Sequence, residues 1–411
     1  MKRNLIKTLT RTLTRTLTLT FTLSLALSAI LLLSACGNGG NGGADAGIKI
    51  GLIAEITGQI PAVGASSKNA ALMAVEEINS AGGIDFGGKK QKIRLIIEDS
   101  ASKAEQAAAV AQKLITQDNV LAIVGPNSSS NAIPASEIAE GAKTLLVTPW
   151  STNPKTTLNS RTGKPKEYVF RACFNDLYQG HVLGNFASVN LKAKKAAVLY
   201  DVASEAPKGQ AELFKKSFES GGGRVVSLET YTTGDKDFSA QLTKIKSAAP
   251  DIIFLPSYYT DVPLVVGQAR RLGIDVPFLG SDAWSTEELI KMCGKECEGF
   301  YLSNHYSAQT KNPAAEKFIA AYKTRYGTVP DDVAALTYDA FGLLAQALKT
   351  SGLPAGNIDR QAVRDAFANI RQFKGVTGDI SFTPDSRDPV KGAVILQIKD
   401  GAFVWFADAG S

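Results

Sequence analysis

Five short loops of this chain carry the side chains best suited to holding a small charged molecule. The run Pro126-Asn127-Ser128-Ser129-Ser130-Asn131 opens a helical stretch and offers hydroxyls and free backbone N–H groups. Such a helix end carries positive partial charge and suits a carboxylate or other anion. In Trp150-Ser151-Thr152-Asn153, Thr152 adds another donor. In Ser281-Asp282-Ala283-Trp284, Asp282 supplies a fixed negative charge for an ammonium. Tyr178, Tyr258, Trp150 and Trp284 offer ring faces to an apolar or cationic part. Donors, an acid and aromatics together are what a zwitterion needs. Each has a plainer reading: Ser128–Ser130 as a helix cap, Asp282 as a cap or turn residue, the aromatics as core. Their joint occurrence at strand ends favours binding.

The elements that must position these loops alternate along the chain. Continuous Val/Ile/Leu runs such as Val120–Gly125, Thr144–Pro149, Ala196–Asp201 and Asp251–Leu255 read as parallel strands covered on both faces. Helical stretches lie between them, among them Ala65–Ser80, Asn131–Gly141 and Leu177–Asn190. This βαβα order implies an α/β fold of doubly wound parallel sheets, in which ligands sit beyond the carboxyl ends of the strands. About ten strand-like runs exceed one compact sheet, and no internal linker divides them, so two lobes crossed more than once by the chain are expected. Near the end, Asp400-Gly401 between two apolar runs reads as a tight hairpin.

The first residues read as an address rather than as fold. Lys2, Arg3, Lys7, Arg11 and Arg15 precede an apolar run from Leu17 to Ala35, as in a secretory signal. An uncleaved membrane helix is the alternative, since the run just reaches the ~18 residues required. Leu33-Ser34-Ala35-Cys36 resembles a lipobox, which implies a signal peptide over 1–35 and a lipid on Cys36. Residues 36–47 are Gly-rich and read as a flexible tether. The whole chain has 45 basic and 39 acidic residues. Without the five basic residues of the signal, 40 face 39, a balance that argues against nucleic acid as a partner. Cys293 and Cys297 suit a small-loop disulfide in an oxidising compartment. A half zinc site is the competing reading, without a second Cys/His pair near by.

Enzymatic chemistry is not expected. There is no Gly-x-Ser-x-Gly elbow, and His181 and His305 stand isolated in sequence. No metal-ligand cluster or cofactor motif is evident. An exported hydrolase is therefore the weaker alternative.

From Ile48 to about Phe406 the chain resembles the type I periplasmic solute-binding proteins of ABC importers, in the branch of the leucine/isoleucine/valine-binding proteins. The resemblance is carried by Ile48-Lys49-Ile50-Gly51 with Thr57-Gly58, Ala74-Val75-Glu76-Glu77-Ile78-Asn79 with Gly82-Gly83-Ile84, and Gly125 with Ser128-Ser129-Ser130. Thr148-Pro149, Thr152-Asn153-Pro154, Arg171-Ala172-Cys173-Phe174-Asn175-Asp176 with Gln179-Gly180, Asp237-Phe238 and Gly280-Ser281-Asp282 continue it. It implies two Rossmann-like lobes joined by three crossovers: residues 48–170 and 305–385 in one, 171–304 and 386–411 in the other. It implies that Ser129 and Thr152, with the backbone at Trp150, hold a ligand carboxylate, while Asp282 and Tyr258 approach the ammonium from the other lobe. The sequence departs from the family at Val63, Trp150 and Ala206-Pro207, so Trp150 and Tyr178 are expected to reshape the side-chain pocket. The expected function is capture of an amino acid, branched-chain as first expectation, by a monomeric lipoprotein of the cell envelope that delivers it to a permease. A sensor feeding a signalling receptor is the alternative role.

Overall fold

The computed structural model describes residues 47–86, 88–352 and 359–409. The signal segment, Cys36 and all of the tether but Gly47 lie outside the described residues. No helix among the described residues is long and apolar enough to cross a membrane.

The chain begins with strand β1 (Ile48–Ala54) and helix α1 (Pro61–Ser80). A small hairpin, β2 (Ile84–Phe86) and β3 (Lys89–Gln91), precedes β4 (Ile93–Asp99) and α2 (Ala104–Thr116). Then come β5 (Ala122–Val124), α3 (Ser129–Gly141), β6 (Leu145–Thr148) and β7 (Val169–Arg171). These build a parallel sheet in the order β4-β1-β5-β6-β7. Its strands β5 and β6 are short, wholly buried and apolar but for Thr148, as strands covered on both faces must be.

The chain then enters a second sheet. Its first part comprises α4 (Asp176–Asn185), β8 (Lys195–Asp201), α5 (Glu205–Ser220), β9 (Arg224–Tyr231), α6 (Ser239–Ala248) and β10 (Ile252–Phe254). It continues with α7 (Val262–Arg271), β11 (Phe278–Gly280), α8 (Glu287–Cys293) and β12 (Tyr301–Asn304). Helices α9 (Pro313–Tyr326), α10 (Asp332–Thr350) and α11 (Arg360–Ala368) return to the first sheet, where α10 packs along α1. The hairpin β13 (Phe373–Gly375) and β14 (Gly378–Ile380) follows; β15 (Ala393–Lys399) and β16 (Ala402–Ala409) then complete the second sheet in the order β16-β15-β12-β11-β10-β8-β9. The chain thus passes between the two sheets three times, after β7, after β12 and before β15. The expected terminal hairpin forms, with Asp400 and Gly401 both at positive φ (53° and 70°), as a tight two-residue turn demands.

Arg171, expected at the start of the second lobe, is the last residue of edge strand β7 in the first sheet. The largest apolar cluster runs from Ile50 and Leu52 of β1 through Trp150 and Tyr258 to Phe278 of β11, so the two lobes share a continuous buried seam. Cys293 and Cys297 form a disulfide at the end of α8, and Cys173 is a buried free thiol.

Candidate functional site

The carboxyl ends of both sheets meet at this seam. Helix α3 starts at Ser129, two residues before its expected start, because Ser128 adopts the extended backbone of a helix cap. Ser129 is thereby the first helical residue. Its Oγ accepts from Ser151 Oγ (3.0 Å) and from the Asn153 N–H (3.3 Å). The loop after β6 is held from behind by Arg171, fully buried. Its guanidinium donates to the carbonyls of Ser151 and Asn153 (2.9 Å for the latter), on either side of Thr152, and pairs with Asp388 at 2.6 Å. Burial alone would raise the Asp388 carboxyl; Arg171, Asn175 and Thr157 outweigh it and hold Asp388 below the usual range.

The second lobe faces this loop across the seam. The rings of Trp150 and Tyr258 lie 6.2 Å apart. The Ala62 N–H donates to Tyr259 Oη (3.2 Å), the Glu205 N–H to Ser130 Oγ (3.2 Å), and Lys155 pairs with Glu205 at 2.7 Å. Asp282 is buried; Gln179 donates to its Oδ1 at 2.6 Å. Burial pushes its carboxyl up to about 6. Of the expected site residues, Ser129, Trp150, Thr152, Tyr258 and Asp282 are thus brought to one place.

Three others are not free to join them. Both donors of Ser128, its N–H (2.9 Å) and its hydroxyl (3.1 Å), go to Glu55 Oε1. Trp284 is core: it is fully buried, donates to the Leu255 carbonyl (3.1 Å), and packs so tightly over Gly280 that a Cβ there would stand 2.2 Å from the indole. Tyr178 donates to the Ala409 carbonyl (2.8 Å) and lines a separate pocket of about 780 Å³ with Asn175, Arg371 and Lys391. Its place on the first turn of α4, beside the terminal hairpin, directs it there.

Four buried groups beside these residues were given no binding role from the sequence. Glu55, just beyond β1, is wholly buried and takes five donors at the α3 N-terminus, among them Asn127 Nδ2 (2.8 Å) and Asn131 Nδ2 (3.3 Å). His305, just beyond β12, is not isolated in space: its Nε2 lies 3.2 Å from Asp282 Oδ2. Both follow strands, which is the signal that would have found them. Asp332 and Asp176 are the first residues of α10 and α4, each set by a capping neighbour. Asp331 accepts from the Ala334 N–H (2.9 Å) and Asn175 from the Tyr178 N–H (3.0 Å). Asp332 takes the Trp150 indole N–H (2.8 Å) and the Ser285 hydroxyl, so it bridges the lobes. Burial pushes Asp332 and Asp176 up to about 7. It drives His305 well below its ordinary value, so the imidazole is neutral. Asp282, His305 and Asp332 each present one ligand atom within 4.8 Å of the others, close enough to share a cation.

Comparison with known proteins agrees with the two-sheet fold. Residues 47–402 match the family model described as periplasmic binding protein. The Leu/Ile/Val-binding protein homolog 3 of Brucella melitensis biotype 1 is 33% identical over 341 residues, covering 83% of this chain and 88% of that one. The leucine-, isoleucine-, valine-, threonine- and alanine-binding protein of Pseudomonas aeruginosa is 31% identical, covering 82% and 85%. Among solved structures, the branched-chain amino acid transporter substrate-binding protein LivJ of Streptococcus pneumoniae, in complex with isoleucine, superposes with a TM-score of 0.80 at 34% identity, covering 89% and 100%. The leucine-binding protein LivK of Thermotoga maritima gives 0.81 at 33% identity, covering 88% and 99%. With two sheets, three crossings and a polar seam at the strand ends, this chain belongs to the periplasmic binding protein family and has its type I fold.

Proposed function

We propose that this chain is the extracytoplasmic substrate-binding component of an ABC importer, anchored by a lipid on Cys36, and that it captures an amino acid in the seam between its lobes. The observation that carries the reading is the meeting of Ser129 and Thr152 from one sheet with Tyr258 and Asp282 from the other, all buried. The first pair offers donors to a carboxylate, and Asp282 offers an acceptor to an ammonium. Relatives named for binding leucine, isoleucine and valine, and a neighbour solved with isoleucine, support the amino-acid class. Asp282→Ala is expected to abolish binding in calorimetry against the twenty amino acids. Its melting temperature should match or exceed the wild type's, because the buried carboxyl, raised to about 6, costs the empty fold stability. Heat from none of the twenty with the wild type would sink the reading.

A further inference from the structure

We infer that the cleft selects a solute bearing two cationic groups, a basic amino acid or a diamine, held between Asp282 of one lobe and Asp332 of the other. The inference rests on the solute-binding reading above and names the class of solute. Asp282 and Asp332 come from different sheets, both are buried, and His305 Nε2 stands between them at 3.2 and 3.9 Å. Among the described residues, His305 is the only basic side chain within ion-pair distance of either, and burial keeps it neutral. Two carboxylates at this separation repel each other in a medium that screens poorly, and each needs a positive partner to stay charged.

Independent observations point the same way. Asp176 is fully buried, and neither of its oxygens makes a hydrogen bond of good geometry, although Thr152 and Gln210 stand beside it. It stands beside Gln210, as Asp282 does, so it faces the same space. The Tyr258 hydroxyl is also buried without a hydrogen bond of good geometry, with Ser204 beside it, and its ring with that of Trp150 presents π faces that attract cations. Meanwhile Glu55 fills much of the anion-binding end of α3 from within. The cleft's donors are thus partly spent on the protein's own carboxylate, while Asp282 and Asp332 are met only by neutral donors, Gln179, Trp150 and Ser285. Leucine brings one ammonium and leaves a second buried carboxylate unmatched. Lysine or ornithine brings two positive groups and one carboxylate; a diamine brings the two positive groups alone.

The test is titration calorimetry of the full chain in mild detergent, freed of bound solute by unfolding and refolding. The titrants are L-lysine, L-ornithine, cadaverine, L-leucine and zinc chloride. Lysine or ornithine is expected to bind at least about tenfold more tightly than leucine, as expected when a buried carboxylate gains a charged partner. D332N should remove that advantage, lowering the ratio of lysine to leucine affinity at least about tenfold. This variant keeps an acceptor for Trp150 and a polar partner for Ser285, so the lobes retain their contacts. The lysine-to-leucine comparison in the wild type stands without it. Cadaverine matching lysine would assign the diamine source, and cadaverine trailing lysine would assign the amino acid. Leucine equal to or tighter than lysine overturns the inference while amino-acid capture stands. Zinc alone binding, with loss in D332N, also overturns it in favour of a metal site. Absence of heat from lysine, ornithine and cadaverine overturns it whatever leucine does.

Discussion

A carboxyl group inside this protein is defined by what neutralises it. Glu55 is met by five donors, and Asp388 by a guanidinium that holds its carboxyl below the usual range. Asp176, Asp282 and Asp332 lack such partners, and Asp331, beside Asp332, is pushed up to about 7 by burial and by its neighbour. The sign of the pH dependence follows. An acid raised above its unfolded value leaves stability intact at low pH and subtracts it as pH climbs through the folded value. Four carboxyls therefore weaken the empty fold between about pH 4 and 7. His305, lowered by burial, acts oppositely below about pH 6.5, but it is one group against four. The solute-free protein is expected to melt at least about 3 °C lower at pH 8 than at pH 5. Calorimetric scans would show it, and a melting temperature that rises over that range would refute the assignment.

Among the elements, the start of α3 decides whether the donors are in place. Gly125 makes the turn out of β5 at φ 90°, where a Cβ would lie 2.0 Å from the Ile53 carbonyl oxygen of the neighbouring strand. No side chain can be accommodated without moving β1 or β5. Gly125→Ala is expected to cost about 3 kcal/mol or more. Because the shift would carry Ser128 away from Glu55, it should also weaken solute binding beyond what the lost stability explains. Denaturant melts paired with calorimetry of the folded fraction would separate the two effects. A variant with native stability would mean that the turn relaxes freely. Arg171 does the same service for the next loop, pinning the peptide carbonyls around Thr152 from behind.

For the whole molecule, three crossings join the two sheets, and closure of their seam on a solute is the expected motion. Across the apolar seam at Trp150 and Tyr258 the lobes also make polar contacts, among them Tyr259 with Ala62, Glu205 with Ser130 and Lys155, and Ser285 with Asp332. Exposed pairs such as Lys155–Glu205 contribute less than about 1 kcal/mol each. Closure of the empty protein is further opposed by the approach of Asp282 to Asp332. A solute that neutralises them binds the shut form better than the open one, which is the differential affinity closure requires. Small-angle scattering is expected to show a smaller radius of gyration with bound solute than without. An unchanged radius at saturating solute would mean that the lobes do not move.

The alternation of buried runs and helical stretches was legible along the chain, because the period of apolar residues reports which faces are covered. So were the strand-end loops, and with them Ser129, Thr152, Tyr258 and Asp282. The aromatic side chains were not separable by the same means: Trp150, Trp284 and Tyr178 follow similar strand ends, yet one lines the seam, one is core and one meets the terminal hairpin. The sequence by itself determined the two-sheet α/β plan and the chemistry of the loops, since propensity and burial pattern are local. Only the tertiary structure decided which charge meets which. Trp150 and Asp332 are 182 residues apart, and Glu55 and Ser128 are 73 apart. Such pairings depend on where the crossings bring the chain back, and no local pattern encodes that.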